Sequence, residues 1–358
     1  MTARNIPSQL SYESLLHSLY RVMYSREAPN DQVQFNVEQI VNHNISLDDI
    51  IRSFADSEER LEIERARAIA GINSEIYDFQ DLIFKRDVVL FDRNGNLISG
   101  CLNRLGSKYD LLKHLENRAN TGIFLDVGAN VGQTLVEAFA FDKSIKYFGF
   151  EPNPTAFRYL KALAKANALP ATIFPWACAS ASAPLRLYTL GGADTSATTR
   201  PETRGDMYTE GHGQWIASYT LDSMVQALPL EQHFILKIDV EGAEYQVMSG
   251  ASDMIHKYRP VVICEVLHAH RAEEIDLNDQ NKLAIEEFCR TSNYNIYQQI
   301  FAEGDFYGDG RLLGLKLVTG FEKSKLYIDN RTSNDYVFAP SELGDISYDS
   351  RQHLPAPS

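Results

Sequence analysis

From Gly122 onward the chain alternates short apolar runs with longer amphipathic ones, and this rhythm restricts its fold more than any other feature of the 358 residues. GIFLDVGA, KYFGFE, ATIFPWACAS, FILKIDV and PVVICEVL read as strands buried on both faces. Between them QTLVEAFAF, PTAFRYLKALAKANAL, AEYQVMSGASDMIHKY and NKLAIEEFCRTS carry the apolar spacing of helices. Strand–helix alternation of this kind predicts an α/β fold around a mostly parallel, doubly wound sheet. RLLGLKLVTG and KLYIDN are placed as antiparallel edge strands, and the segment from Tyr188 to Tyr219 as a long loop over the ligand edge.

The stretch before this region is of another kind. SYESLLHSLYRVMYS, VQFNVEQIVNH and SLDDIIRSFADSEERLEIERARAIA are short amphipathic helices, a small all-helical module over residues 1–76. Residues 77–120 supply a connecting hairpin, VVLFDRNGNLISG turning at Asn94-Gly95, and a helix at KYDLLKHLENR. The α/β domain then occupies 121–340, and 341–358 is read as a loosely held tail.

Charge and cysteine content exclude several functions. The net charge of -14 disfavours a partner gripped through phosphates, so no nucleic acid is expected. Cys101, Cys178, Cys264 and Cys289 are scattered without a CxxC pair, which gives neither a zinc knuckle nor a disulfide framework. MTARNIPSQLSYESLL lacks the pattern of a secretory signal, and no apolar run approaches the roughly 18 residues of a membrane span. The expectation is a soluble, cytoplasmic protein.

Ligands of doubly wound sheets sit outside the carboxyl ends of the strands, so the turn after the first strand, FLDVGANVGQT, faces one. A dinucleotide fingerprint would need glycine at the positions of Gly128, Asn130 and Gln133, and a phosphate loop would end in GK[ST]; neither is present. What remains is Asp126, Gly128, Asn130 and Gly132, with the two glycines letting backbone approach a ligand. Glu151 closes the second strand in FGFEPNP, where a carboxylate can accept both hydroxyls of a ribose. An acid at each strand end around a turn without cations suits a nucleoside that carries an amino acid, S-adenosylmethionine. Asn153 caps the following helix with Pro154 at its first position.

FLDVGANVGQT, FGFEPNP and LKIDVEGAEYQVMSGA together resemble the FkbM family of S-adenosylmethionine-dependent methyltransferases, over roughly Val88 to Tyr336. The resemblance implies a class I, Rossmann-like methyltransferase fold and methyl transfer to a hydroxyl oxygen of a sugar or natural product. It implies that Asp126, Gly128, Asn130, Gly132 and Glu151 hold the cofactor, with Asn153 and Ala177 completing the set. Many class I enzymes present an acid to the adenine from the third strand, where this chain has Ala177-Cys178-Ala179. LYRVMYSREAPN and SLDDIIRSFADSEER are similar to a short helical domain of unknown function in bacterial surface and glycan-assembly proteins, with Ser25 in place of its usual glycine before Arg26. That likeness leans toward glycan biosynthesis and toward a protein partner docking on the N-terminal helices.

LKIDVEGAE supplies the acceptor end. A lysine in an apolar central strand needs a partner, and Asp239 or Glu265 can serve Lys237. A sugar hydroxyl is a poor acid, so methyl transfer to it calls for a general base or a metal ion. Asp239, Glu241, Lys237 and His268 are the catalytic candidates. A second scheme has Asp239, Glu265 and His268 binding magnesium or manganese. His212 and Trp215 are loop residues able to touch a sugar ring. Three readings follow: a carbohydrate O-methyltransferase, an O-methyltransferase of a polyketide-like or other small natural product, and a non-catalytic scaffold that keeps the cofactor fold.

Overall fold

The computed structural model describes residues 33–34, 36–38, 76–79, 82–85, 107–189, 194, 196–204, 213–269, 271–301, 312–326 and 334–349. The chain divides into two compact units, Met1–Glu75 with Phe91–Leu97, and Ile76–Leu90 with Ile98–Ser358. In the first unit the described residues, within 33–38, are helical. The rest of the N-terminal helices and the hairpin at Asn94-Gly95 lie outside the described residues.

The second unit begins with an antiparallel pair, β1 (Ile76–Phe79) and β2 (Leu82–Lys85). Helix α1 (Ser107–Leu115) follows, its first amides at Lys108 and Tyr109 donating to the Glu137 carboxylate. The alternation then runs β3 (Asn120–Val127), α2 (Gln133–Phe141), β4 (Lys146–Phe150), α3 (Pro154–Ala166) and β5 (Thr172–Phe174). Asn153 caps α3 as its sequence predicts, accepting from the Thr155 amide.

Beyond β5 the chain leaves the main sheet. β6 (Ala177–Cys178), β7 (Pro184–Leu187) and β8 (Gln214–Tyr219) form a small three-stranded sheet in the order β6-β8-β7. The run read as one third strand is therefore two strands in two sheets, parted at Pro175, which has no amide to donate to a ladder. β8 also occupies the end of the segment assigned as loop.

A short helix, α4 (Leu221–Met224), leads to β9 (Phe234–Ile238). α5 (Glu244–Ser249) and α6 (Ser252–Tyr258) are one amphipathic stretch broken at Gly250. β10 (Val261–Glu265), α7 (Ile275–Thr291), β11 (Tyr294–Phe301), β12 (Leu312–Val318), β13 (Asp335–Pro340) and β14 (Tyr348–Asp349) complete the unit. β12 is antiparallel as expected, whereas KLYIDN gives only an isolated bridge at Leu326 within the described residues. The segment after Ser341 is not a loose tail through Asp349: Ile346 is fully buried and Tyr348 stacks on His114 at 3.9 Å.

The main sheet has the order β14-β12-β11-β13-β10-β9-β3-β4-β5. β10, β9, β3, β4 and β5 are parallel, and the other four strands extend the sheet antiparallel. Both faces of the parallel part are buried. Phe124, Ile235 and Ile263 pack into one core layer, while Leu125, Leu236 and Val262 pack into the other. β4 and β5 run outward from one side of β3 and β9 from the other, so the strand order reverses between β3 and β9. That is where an open α/β sheet offers a crevice at its carboxyl edge.

Candidate active site

A cavity of about 250 Å³ opens at this reversal. Its near wall is the turn after β3. Gly128 has φ 83, and a Cβ there would overlap the carbonyl oxygen of Asp239, so only glycine allows the turn and the loop after β9 to touch backbone to backbone. Asn130 is also left-handed, at φ 48, and its amide donates to Glu151 Oε2 at 2.8 Å. The Asn153 amide donates to Glu151 Oε1 at 2.7 Å. Two backbone donors thus fix the Glu151 carboxylate at the cavity wall, 6% exposed. Burial pushes its pKa up to about 7 against the pull of those two bonds.

The other residues expected to hold a cofactor divide in two. Ala177 lines the cavity from β6, together with Cys178, which was not among the expected residues. Asp126, Gly132 and Asn153 do not line it but build it. Asp126 is fully buried, accepts from the Tyr147 hydroxyl and pairs with Lys237 at 3.1 Å. Gly132, at φ 101, lets the start of α2 close onto Leu160 and Leu163 of α3. Asn153 works through its amide on Glu151 and its side chain on the helix cap. One buried acceptor faces inward without a partner among the described residues: Oδ1 of Asn130, a residue of the lining. An unmet acceptor and a fixed carboxylate in one lining together fit a nucleoside with donor groups.

Across the cavity stand three carboxylates. Asp239, Glu241 and Glu265 each bring an oxygen within 4.8 Å of the others. Lys237 anchors them from beneath, with Nζ 3.2 Å from Asp239 Oδ2 and donating to the Gly128 carbonyl at 3.0 Å. Burial disfavours the Lys237 charge, but Asp126 and Asp239 outweigh it and raise its pKa. Asp239 is likewise held below the usual carboxylate range, its burial overcome by Lys237 and by a hydrogen bond with Glu265. Glu265 is pushed well up by burial and by its neighbours Asp239 and Glu241. Glu241 rises to about 8 through burial, with Arg204 opposing the shift. Burial and charge thus pull the two apart, Asp239 toward its ionised form and Glu265 toward its protonated one.

His268 is not brought to this group. It is 1% exposed and outside the cavity lining, with its Nδ1 3.3 Å from Lys282 Nζ and accepting from the Lys325 amide at 3.3 Å. Burial, then Lys282, lowers its pKa to about 4. Glu241 takes the place in the carboxylate cluster where an imidazole was expected. Trp215 is 70% exposed, beneath the Arg186 guanidinium at 5.5 Å, and does not line the cavity; His212 and His270 lie outside the described residues.

Four residues of the irregular segment escaped sequence reasoning. Asp194, Ala197 and Thr199 line the cavity, and Arg204 pairs with Glu241 at 3.1 Å. Their only signal was position: a long segment crossing the carboxyl edge of the sheet.

Residues 126–295 match the family model described as the methyltransferase FkbM domain. The hexuronic acid methyltransferase AglP of Haloferax volcanii is 25% identical over 174 residues, or 48% of this chain and 65% of AglP. The chain thus spans less than two thirds of that relative. A methyltransferase FkbM structure from Methylobacillus flagellatus KT aligns at 13% identity and TM-score 0.35, over 67% of this chain and 57% of that one. A precorrin-6y C5,15-methyltransferase from Geobacter metallireducens GS-15 aligns at 11% identity and TM-score 0.32, over 64% and 85%. The matched domain and the sheet order together define a Rossmann-like methyltransferase fold.

Proposed function

We propose that this chain, with a methyltransferase FkbM domain over residues 126–295, is an S-adenosylmethionine-dependent O-methyltransferase acting on a carbohydrate hydroxyl in glycan biosynthesis. The observation that carries the reading is the facing of two acidic walls across one cavity, Glu151 on one side and Asp239, Glu241 and Glu265 on the other. Glu151 suits ribose hydroxyls and the Gly128–Asn130 turn suits the amino-acid end of the cofactor. The carboxylate wall suits a hydroxyl that must give up its proton. The similarity to a hexuronic acid methyltransferase supports a sugar as acceptor.

The cofactor supplies an electrophilic methyl group bound to a sulfonium. With the cofactor held by Glu151 and the Gly128–Asn130 turn, its methyl would pass from sulfur to the acceptor oxygen, and the carboxylate group would take the hydroxyl proton. We assign Asp239 as the base, since Lys237 keeps it ionised. Glu241 and Glu265 adjoin it as further proton sites. A second reading rests on the same three oxygens: a hard divalent cation such as magnesium or manganese suits an all-carboxylate donor set. Asp239, Glu241 and Glu265 would hold it, and it would lower the pKa of the acceptor hydroxyl.

Titration calorimetry with S-adenosylhomocysteine and a methyl-labelled donor screened over candidate glycans test the proposal. Asp239→Asn is expected to bind S-adenosylhomocysteine normally and to transfer no methyl group. Absence of S-adenosylhomocysteine binding to the native chain would sink the whole reading. Methylation of small polyketide-like acceptors in preference to every glycan would move the substrate class alone.

A further inference from the structure

The segment before β8 is fastened to the turn that carries the carboxylates. The Thr198 hydroxyl donates to the Glu241 carbonyl at 2.7 Å, and Arg200 Nη1 donates to the Gly242 carbonyl at 3.4 Å. A Cβ on Gly242, at φ 103, would overlap the Thr203 hydroxyl, so the Thr203 side chain packs where only glycine leaves room. Glu241 itself sits at φ 57, a left-handed conformation that a glutamate adopts at a cost. Something must hold it there. The Arg204 guanidinium does so, 3.1 Å from Glu241 Oε2, with the two side chains only 9% and 16% exposed.

The same segment makes part of the cavity. Asp194, Ala197 and Thr199 line it together with Glu241 and Asp239. Asp239, Glu244 and Asp194 all press negative charge on Glu241, and Arg204 opposes them. Without the guanidinium, the side-chain tie between Glu241 and this segment at 3.1 Å is lost.

We propose that Arg204 is a positioning residue for methyl transfer: its guanidinium holds the Glu241 carboxylate at the cavity and pins the 196–204 wall to the turn bearing Asp239. This rests on the methyltransferase reading, and Arg204 touches neither reacting group. A guanidinium presents a planar fork of donors, whereas lysine offers a point charge on a flexible stem, so Arg204→Lys should restore part of the function that Arg204→Gln removes.

The test uses the full chain with both variants and three readouts. Arg204→Gln is expected to lower kcat/KM for the acceptor by at least about tenfold, as misplacement of reacting groups does, while the S-adenosylhomocysteine Kd stays within about twofold. Arg204→Lys is expected to fall between the two. Amide exchange over residues 196–204 should quicken in Arg204→Gln. Native kcat/KM in Arg204→Gln overturns the proposal, and so does a loss of cofactor affinity in step with turnover, which would mark a merely structural role. Unchanged amide exchange overturns the clamp without any acceptor. Quickened exchange in a chain whose native form methylates nothing would keep the clamp and discard the methyltransferase reading.

Discussion

Lys237 and Asp126 are register neighbours on β9 and β3, and their side chains meet at 3.1 Å with 6% and 0% exposure. Removing one member of a buried pair strands the other in a medium that cannot solvate it. Lys237→Met should cost about 3–5 kcal/mol of unfolding free energy, measured by urea denaturation. The double variant Asp126→Asn with Lys237→Met should regain part of that loss. If the single variant unfolds like the native chain, the pair is not what pins β3 to β9 at the crevice.

Glu151 makes a pH prediction with two opposite signs. Its folded pKa of about 7 lies above its ordinary 4.5, so the folded chain keeps a proton that the unfolded chain has released. The contribution of this group to stability should therefore fall as pH rises from 4.5 to about 7, and Glu151→Gln should flatten that slope in urea titrations. Cofactor affinity should move the other way, strengthening as the carboxylate ionises to accept ribose hydroxyls. Calorimetry with S-adenosylhomocysteine on either side of about pH 7 checks it. A pH-independent Kd would remove Glu151 from the binding role.

His268 separates structural from catalytic effects. Its folded pKa of about 4 is below the ordinary 6.5, so the unfolded chain takes up a proton that the folded chain refuses. Its contribution to stability should fade as pH drops from 6.5 toward 4. His268→Gln should blunt that acid loss and leave methyl transfer within about threefold of native. A collapse of kcat at unchanged stability would place the imidazole in the reaction after all.

The three carboxylates can be probed without an acceptor. If a divalent cation belongs there, Mn²⁺ followed by electron paramagnetic resonance should bind at one site, and Glu265→Gln should weaken it by about tenfold or more. Full transfer activity after exhaustive chelation would eliminate the metal route and leave Asp239 as the unaided base.

The parallel half of the sheet was legible because each strand there is buried on both faces and each helix carries its own period. The acidic residues at strand ends were legible for the same reason, since a strand's end fixes where its last side chain lies. The small sheet was not: β7 and β8 pair across an irregular stretch, and nothing local in PLRL or QWIASY announces the partner. β13 was missed because it enters the sheet between β10 and β11, out of chain order. At the site, Glu241 was a candidate, but its left-handed backbone and its tie to Arg204 arise from contacts 37 residues apart (241 less 204). His268 misled because the position after a strand was right while the packing of Lys282 against it was invisible.

The backbone contact at Gly128 has a consequence for how such a site can change. Because the turn after β3 rests directly on the Asp239 carbonyl, the Gly128 turn and the carboxylate wall are one surface with no side chain between them. Neither can be reshaped alone without displacing the other. On the proposed function, diversity of acceptor is then left to the covering segment, where Asp194, Ala197 and Thr199 line the cavity and can be exchanged one by one.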